Sequence, residues 1–144
     1  MTVEVREQAF DPWRELADYE ARQSAGAYGA TAVFVGHMRD FNAGDAVQGM
    51  TLEHYPGMTE RHLQAICERA TAKWALLDTL VLHRVGDLGP GDPIVLVAVW
   101  SAHRKDAFEA SRFIMEDLKS EAPFWKKERT EAGDRWVEKN TPGY

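Results

Sequence analysis

Apolar residues recur along this chain at two spacings, and the switches between them lay out an order of elements. Asp11-Pro12 opens the first helical pattern. The aspartate is placed to cap, and proline at the first helical position gives up only an N–H that has no partner there. Trp13, Leu16, Ala17 and Ala21 then follow at helical spacing and predict an amphipathic helix over 12–23, punctuated by Gly26 and Gly29. The run from Ala30 to Val35 is short, β-branched and bounded by glycines, which predicts a strand. Val47 to Tyr55 alternates loosely and predicts a second strand. The short polar turn from Asp40 to Asp45 implies that it runs back antiparallel to the first.

Pro56-Gly57 makes a turn, and Thr59 is placed to cap a helix reaching about Trp74, with Leu63, Ile66, Cys67 and Ala70 on one stripe. Leu80, Leu82 and Val85 predict a third strand, and the glycine and proline cluster from Gly86 to Pro93 a hairpin loop. Ile94 to Trp100 is apolar without interruption, as expected of a strand buried on both faces. A helix over 106–119 turns Ala107, Ala110, Ile114 and Leu118 to one face, with Phe108 and Met115 on an adjacent one. After a break at Pro123 come two short segments, 124–129 and 135–139, joined by a turn in which Gly133 can take a positive φ. The order α-β-β-α-β-β-α-β-β describes an α+β fold with about three helices and a mainly antiparallel sheet. At 144 residues the chain is expected to form one domain, 1–144.

Composition narrows the function. A net charge of −6 argues against a general nucleic-acid surface. No run approaches the roughly 18 apolar residues that span a bilayer, and MTVEVREQAF has no apolar signal core, so a cytoplasmic protein is expected. The single cysteine, Cys67, excludes an internal disulfide and a multi-cysteine zinc site, and its place on a helical apolar stripe makes it a packing residue. His54 and His62 stand eight apart across a turn, no metal-binding spacing occurs, and no metal is expected. His83 has apolar neighbours in a strand and reads as structural. Walker A, G-x-G-x-x-G and G-x-S-x-G sequences are absent, and Gly86, Gly89 and Gly91 suit turn geometry.

The stretch from Ser101 to Glu128 stands apart, because cations gather in it at points where the chain changes direction. His103-Arg104-Lys105 follows the most apolar strand. Lys119 lies in the last turn of the helix, where the dipole alone favours a cation by a few tenths of a kcal/mol. Lys126 follows the large apolar pair Phe124-Trp125. A turn at Pro123 would let Lys119 and Lys126 converge beside that aromatic wall. Two ammonium groups in a partly desolvated pocket lower each other's pKa, and a shift of about 3 units, roughly 4 kcal/mol, makes one of them a usable base or nucleophile at pH 7. Arg39, just after a strand, suits bidentate recognition of phosphate or carboxylate. The simpler reading pairs each cation with one of the 23 acidic side chains, and for Lys105, Lys127 and Arg129 it is the preferred one.

Five segments then carry a likeness to a known family: GATAVFVGHMRDFNAGDAV (29–47), LEHYPGM (52–58), HRVGDLGPGD (83–92), SAHRKDAFEASRFIMEDLK (101–119) and APFWKKE (122–128). In this order they closely resemble the large, catalytic subunit of molybdopterin synthase, from about residue 29 to Trp136. The resemblance implies an α/β hammerhead fold and a sulfur transferase of molybdenum cofactor biosynthesis. Such an enzyme converts cyclic pyranopterin monophosphate (precursor Z) to molybdopterin. The sulfur arrives as a thiocarboxylate on the C-terminal glycine of a small ubiquitin-like subunit, so no cofactor is needed, and two large subunits form a homodimer at the centre of a heterotetramer. The likeness makes Lys119 the essential catalytic lysine and Lys126 its partner. Lys127 and Glu128 fall in the substrate-contacting segment, His103 and Arg104 match the pair that binds pterin and phosphate, and His37, Met38 and Arg39 match the substrate loop. Phe34 and Met115 would line the pocket. Relatives often carry lysine at 37 and arginine at 127. The residues by themselves also suit a non-catalytic regulatory domain that binds a phosphorylated small molecule, or a structural subunit using Phe124-Trp125 as an interface.

Overall fold

The computed structural model describes residues 1–42, 45–121 and 124–137. In chain order the elements are β1 (Thr2–Arg6), α1 (Pro12–Ala21), β2 (Ala30–His37), β3 (Phe41–Asn42), β4 (Asp45–His54), α2 (Met58–Lys73), β5 (Leu76–Arg84), β6 (Gly86–Leu88), β7 (Pro93–Ser101), α3 (Arg104–Glu121), β8 (Phe124–Thr130) and β9 (Gly133–Trp136). The α+β class and the three helices agree with the sequence pattern. The break at Pro123 and the glycine at 44 lie outside the described residues, as does the far end of the segment expected over 135–139.

The strands form two sheets. The first runs β1-β5-β7-β2, with β7 in the middle and antiparallel to both neighbours, and with β1 parallel to β5. Side chains alternate across a strand, so an uninterrupted apolar run feeds two cores at once. Val95, Val97 and Val99 of β7 enter one core with Leu63, Ile66 and Ala70 of α2 and Ala110, Ile114 and Leu118 of α3. Leu96, Ala98 and Trp100 enter the other, covered by Phe10 and by Leu16 and Tyr19 of α1. The Trp100 indole donates from Nε1 to Glu20 Oε2 at 3.0 Å, so its one polar atom is satisfied. Cys67 is fully buried in the first core, and burial pushes its thiol pKa up to about 11.

The second sheet has the order β3-β4-β8-β9, with β6 also paired to β4, over a smaller core of Met38, Val47, Met50, Leu52, Val85 and Leu88. The expected hairpin between Ala30–Val35 and Val47–Tyr55 is therefore not formed: β2 pairs with β7, and β4 with β8, β6 and β3. The cause lies just past β2. Met38 donates its N–H to Asp92 O at 2.9 Å and accepts from Gly91 N–H at 2.8 Å, while its side chain enters the second core. That clamp turns the chain from one sheet into the other.

Three short strands had no counterpart in the sequence reading. β1 is a plain T-V-E-V-R alternation, β3 has two residues, and β6 sits inside what was expected to be a loop. The cap expected from Thr59 is also displaced. Gly57, at φ 82°, caps α2 and its N–H meets Glu60 Oε2 at 2.5 Å, while Thr59 is buried in the first turn. Gly133 takes a positive φ of 115°, as its turn requires.

Candidate active site

A cavity of about 410 Å³ opens where the two sheets and α3 meet. Phe34, Gly36, His37 and Arg39 come from β2 and its exit, His83 from β5, Val95 from β7, Lys119 from α3, and Phe124 and Lys126 from β8. Gly36 is required by close approach: a Cβ there would lie 2.9 Å from Val95 Cγ1 and 3.2 Å from the Phe34 ring. The β2–β7 register shifts between Gly36 and His37, and such a bulge re-aims the side chains that follow it. His37 and Arg39 thus stand exposed at the mouth.

The two lysines expected to converge do so. Lys119 occupies the last turn of α3, and Lys126 lies on β8 opposite Leu52; both are half-buried. Burial, then the charge of Lys119 and the hydrogen bond between the two side chains, push the Lys126 pKa down to about 7, against the opposing charge of Glu128. Near neutral pH Lys126 is therefore in part the free amine. Behind them the His83 ring is buried against Phe124, with centroids 3.8 Å apart and planes 14° from parallel. Burial, with smaller contributions from Lys119, Lys126 and His54, lowers its pKa to about 3, so the imidazole is neutral.

Phe34, His37, Arg39, Lys119 and Lys126 are thus brought together, and six other candidates are not among the cavity's lining residues. Met38 points into the second core. Met115, one turn before Lys119, is buried between α3 and the first sheet. Lys127 has the opposite strand parity to Lys126, and its ammonium lies 5.8 Å from the Trp136 ring centroid and 3.8 Å from Asp134 Oδ2. Glu128 is buried and engaged: Asn42 Nδ2 donates to its two oxygens at 3.1 and 3.0 Å, and Arg135 Nε to Oε1 at 3.2 Å. Its carboxylate ties β3 and β9 to β8. His103 and Arg104 sit at the start of α3, and fifteen residues of helical rise put Arg104 about 22 Å from Lys119 along the axis. Within one chain those two ends cannot hold the same small molecule.

His83 is the lining residue that the sequence reading set aside as structural. It is buried and hydrogen-bonded, and it also faces the cavity. Its signal was its place at the head of the HRVGDLGPGD segment. Among the described residues no group of three or more His, Cys, Asp or Glu is placed to hold a metal ion, and no helix is long and apolar enough to cross a membrane.

The family profile described as "MoaE protein" matches residues 5–121. The chain belongs to this family. A molybdopterin synthase catalytic subunit from Pseudomonas aeruginosa is 54% identical over 138 residues, covering 96% of this chain and 91% of the relative. The crystal structure of molybdopterin synthase from Staphylococcus aureus superposes with a TM-score of 0.83 at 34% identity, over 93% of this chain and 95% of that one. A protein–protein complex of subunits 1 and 2 of molybdopterin-converting factor from Helicobacter pylori shares the fold, with a TM-score of 0.80 at 23% identity over 96% of this chain and 92% of that one. This member of the family is accordingly an enzyme of molybdenum cofactor biosynthesis, as the motif likeness implied.

Proposed function

We propose that this chain is the catalytic half of a molybdopterin synthase, transferring sulfur to precursor Z from a thiocarboxylate on the C-terminal glycine of a small ubiquitin-like partner. The observation that carries the reading is the Lys119–Lys126 pair, with Lys126 titrating near neutrality inside a cavity that Arg39 flanks. Thiocarboxylate and phosphate are both anions, and fixed cations in a water-poor site act strongly on them. The ammonium of the pair holds the incoming acyl-sulfur group or donates a proton to it, and the free amine takes one up. Lys119 has the central role, and Arg39 and Lys126 hold substrate. Phe34 and Phe124 supply apolar walls for the pterin. The partner carries the sulfur, so the reaction needs neither a thiol of this chain nor a resident cofactor, and it takes place in the cytoplasm.

His103 and Arg104 join the site from a second copy of the chain in this reading, since the length of α3 separates them from Lys119 in their own. The assembly is a homodimer of this chain with one small subunit at each end. The deciding experiment mixes Lys119→Ala with thiocarboxylated partner and precursor Z. The dithiolene product should disappear while the fold and partner binding persist. Wild-type turnover in that variant removes Lys119 from the chemistry. A wild-type protein that binds the phosphorylated pterin and yields no product is a regulatory module instead.

A further inference from the structure

His83 does more than fill the cavity wall. Its Nδ1 lies 2.8 Å from Arg84 O, and a carbonyl oxygen only accepts, so the ring carries its proton on Nδ1. With that edge fixed to the backbone and one face held by Phe124, the ring's other polar function is the lone pair on Nε2. His83 lines the same cavity as Lys119 and Lys126. A buried neutral imidazole in the wall that also carries two lysines is an acceptor facing donors.

We propose that His83 is a positioning residue whose Nε2 accepts one N–H of the Lys119–Lys126 pair and thereby fixes the direction of the proton the pair shares. An ammonium has three N–H groups. One goes to the amine of the other lysine and one to His83, which fixes how the pair faces the cavity. The amine lone pair is oriented by the same constraint. The groups bearing on this arrangement are Lys119 on α3, Lys126 and Glu128 on β8, His54 on β4, and His37 and Arg39 at the end of β2. Within this set Glu128 is the anion, and it is bound to Asn42 and Arg135. An uncharged acceptor is therefore what orders the two lysines without cancelling their charge. The Nδ1 anchor gives that acceptor a fixed aim, because it prevents the ring from turning over.

The proposal rests on the sulfur-transfer reading, and two substitutions separate its parts. The Asn amide nitrogen stands near the position of Nδ1, so His83→Asn keeps the donor to Arg84 O and removes the cavity acceptor. The longer His83→Gln can bring its amide oxygen to the position of Nε2. In the complete complex with thiocarboxylated partner and precursor Z, His83→Asn should lower kcat about tenfold with KM nearly unchanged, the effect of losing one hydrogen bond to a charged group. His83→Gln should recover most of that loss. Loss of the acceptor destabilises the ammonium, so the acid limb of the rate profile should move to lower pH in His83→Asn. The lysine titration, read by NMR on the large subunit alone, should move the same way. Nitrogen NMR of the wild-type large subunit should find the His83 proton on Nδ1. A proton on Nε2, an unshifted lysine titration, or a Gln variant no better than the Asn variant overturns the proposal. Absence of product from the wild-type complex would overturn the sulfur-transfer reading alone, and the NMR measurements would still decide the place of His83.

Discussion

The imidazole of His83 lies flat on the ring of Phe124, 3.8 Å between centroids, and so joins β5 of the first sheet to β8 of the second at the cavity floor. Burial keeps that imidazole neutral, with its pKa lowered to about 3. The unfolded chain, with an ordinary histidine near 6.5, binds the proton more readily below that pH, so this residue makes stability fall as pH drops from about 6.5 toward 3. Urea denaturation of the large subunit should show a loss of up to about 2 kcal/mol between pH 6.5 and 5 from this source. His83→Phe, which keeps a ring against Phe124, should flatten that part of the profile. Equal slopes in both proteins would mean that the ring is protonated in the folded state.

Lys126 works against the fold. Its pKa is lowered from the usual lysine range to about 7 by burial and by Lys119, so between pH 7 and about 10.5 the unfolded chain is the better proton acceptor. The wild-type protein should therefore gain stability as pH rises through that window. Lys126→Met removes the desolvated amine and should raise stability at pH 7 by roughly 1–3 kcal/mol while abolishing turnover. Urea midpoints for both proteins at pH 7 and pH 9 would check this. A destabilised Met variant would indicate that the lysine is compensated in the folded state.

Glu128 offers the opposite contrast. Its bonds to Asn42 and Arg135 make it a tie between strands rather than a substrate ligand. Glu128→Gln should lower stability by about 2 kcal/mol, the loss of charge-assisted hydrogen bonds in a buried place, and should leave KM for the pterin nearly unchanged. A variant of normal stability and raised KM would return Glu128 to the substrate.

The separation of Arg104 from Lys119 along α3 predicts complementation. Arg104→Ala and Lys119→Ala chains should each be inactive alone. Mixed in equal amounts and allowed to exchange, half of the dimers carry one of each, with one intact site of two, so about a quarter of wild-type turnover should return. No recovery in dimers shown to have exchanged would exclude a site shared between chains.

Much of this is legible in the sequence alone. β7 announced itself because a run of apolar residues with no polar interruption admits only a doubly covered strand, and α3 because Ala107, Ala110, Ile114 and Leu118 fall on one face. The convergence of Lys119 and Lys126 followed from a helix end, a break and an aromatic pair. The partner of β2 was not legible. Short connections favour hairpins, and the Met38 clamp onto the loop before β7 is a tertiary contact between distant residues. Chain neighbours were also misleading at the site. Lys127 adjoins Lys126 yet has the opposite strand parity, and Arg104 shares a helix with Lys119 yet sits at its far end. His83 was passed over because an apolar strand context describes a structural histidine and a cavity-facing one equally well.

β1 lies under all of this, pairing in parallel with β5 so that Val5 stands beside His83 and Arg6 beside Arg84. It also shields the outer flank of β5, whose other side is taken by β7. A chain lacking residues 2–6 would leave the backbone donors and acceptors of Leu80–Arg84 open along one side, next to buried apolar side chains. An open flank of that kind recruits strands from other molecules. Loss of the first few residues would thus be felt as self-association in concentrated solution before it was felt as loss of catalysis.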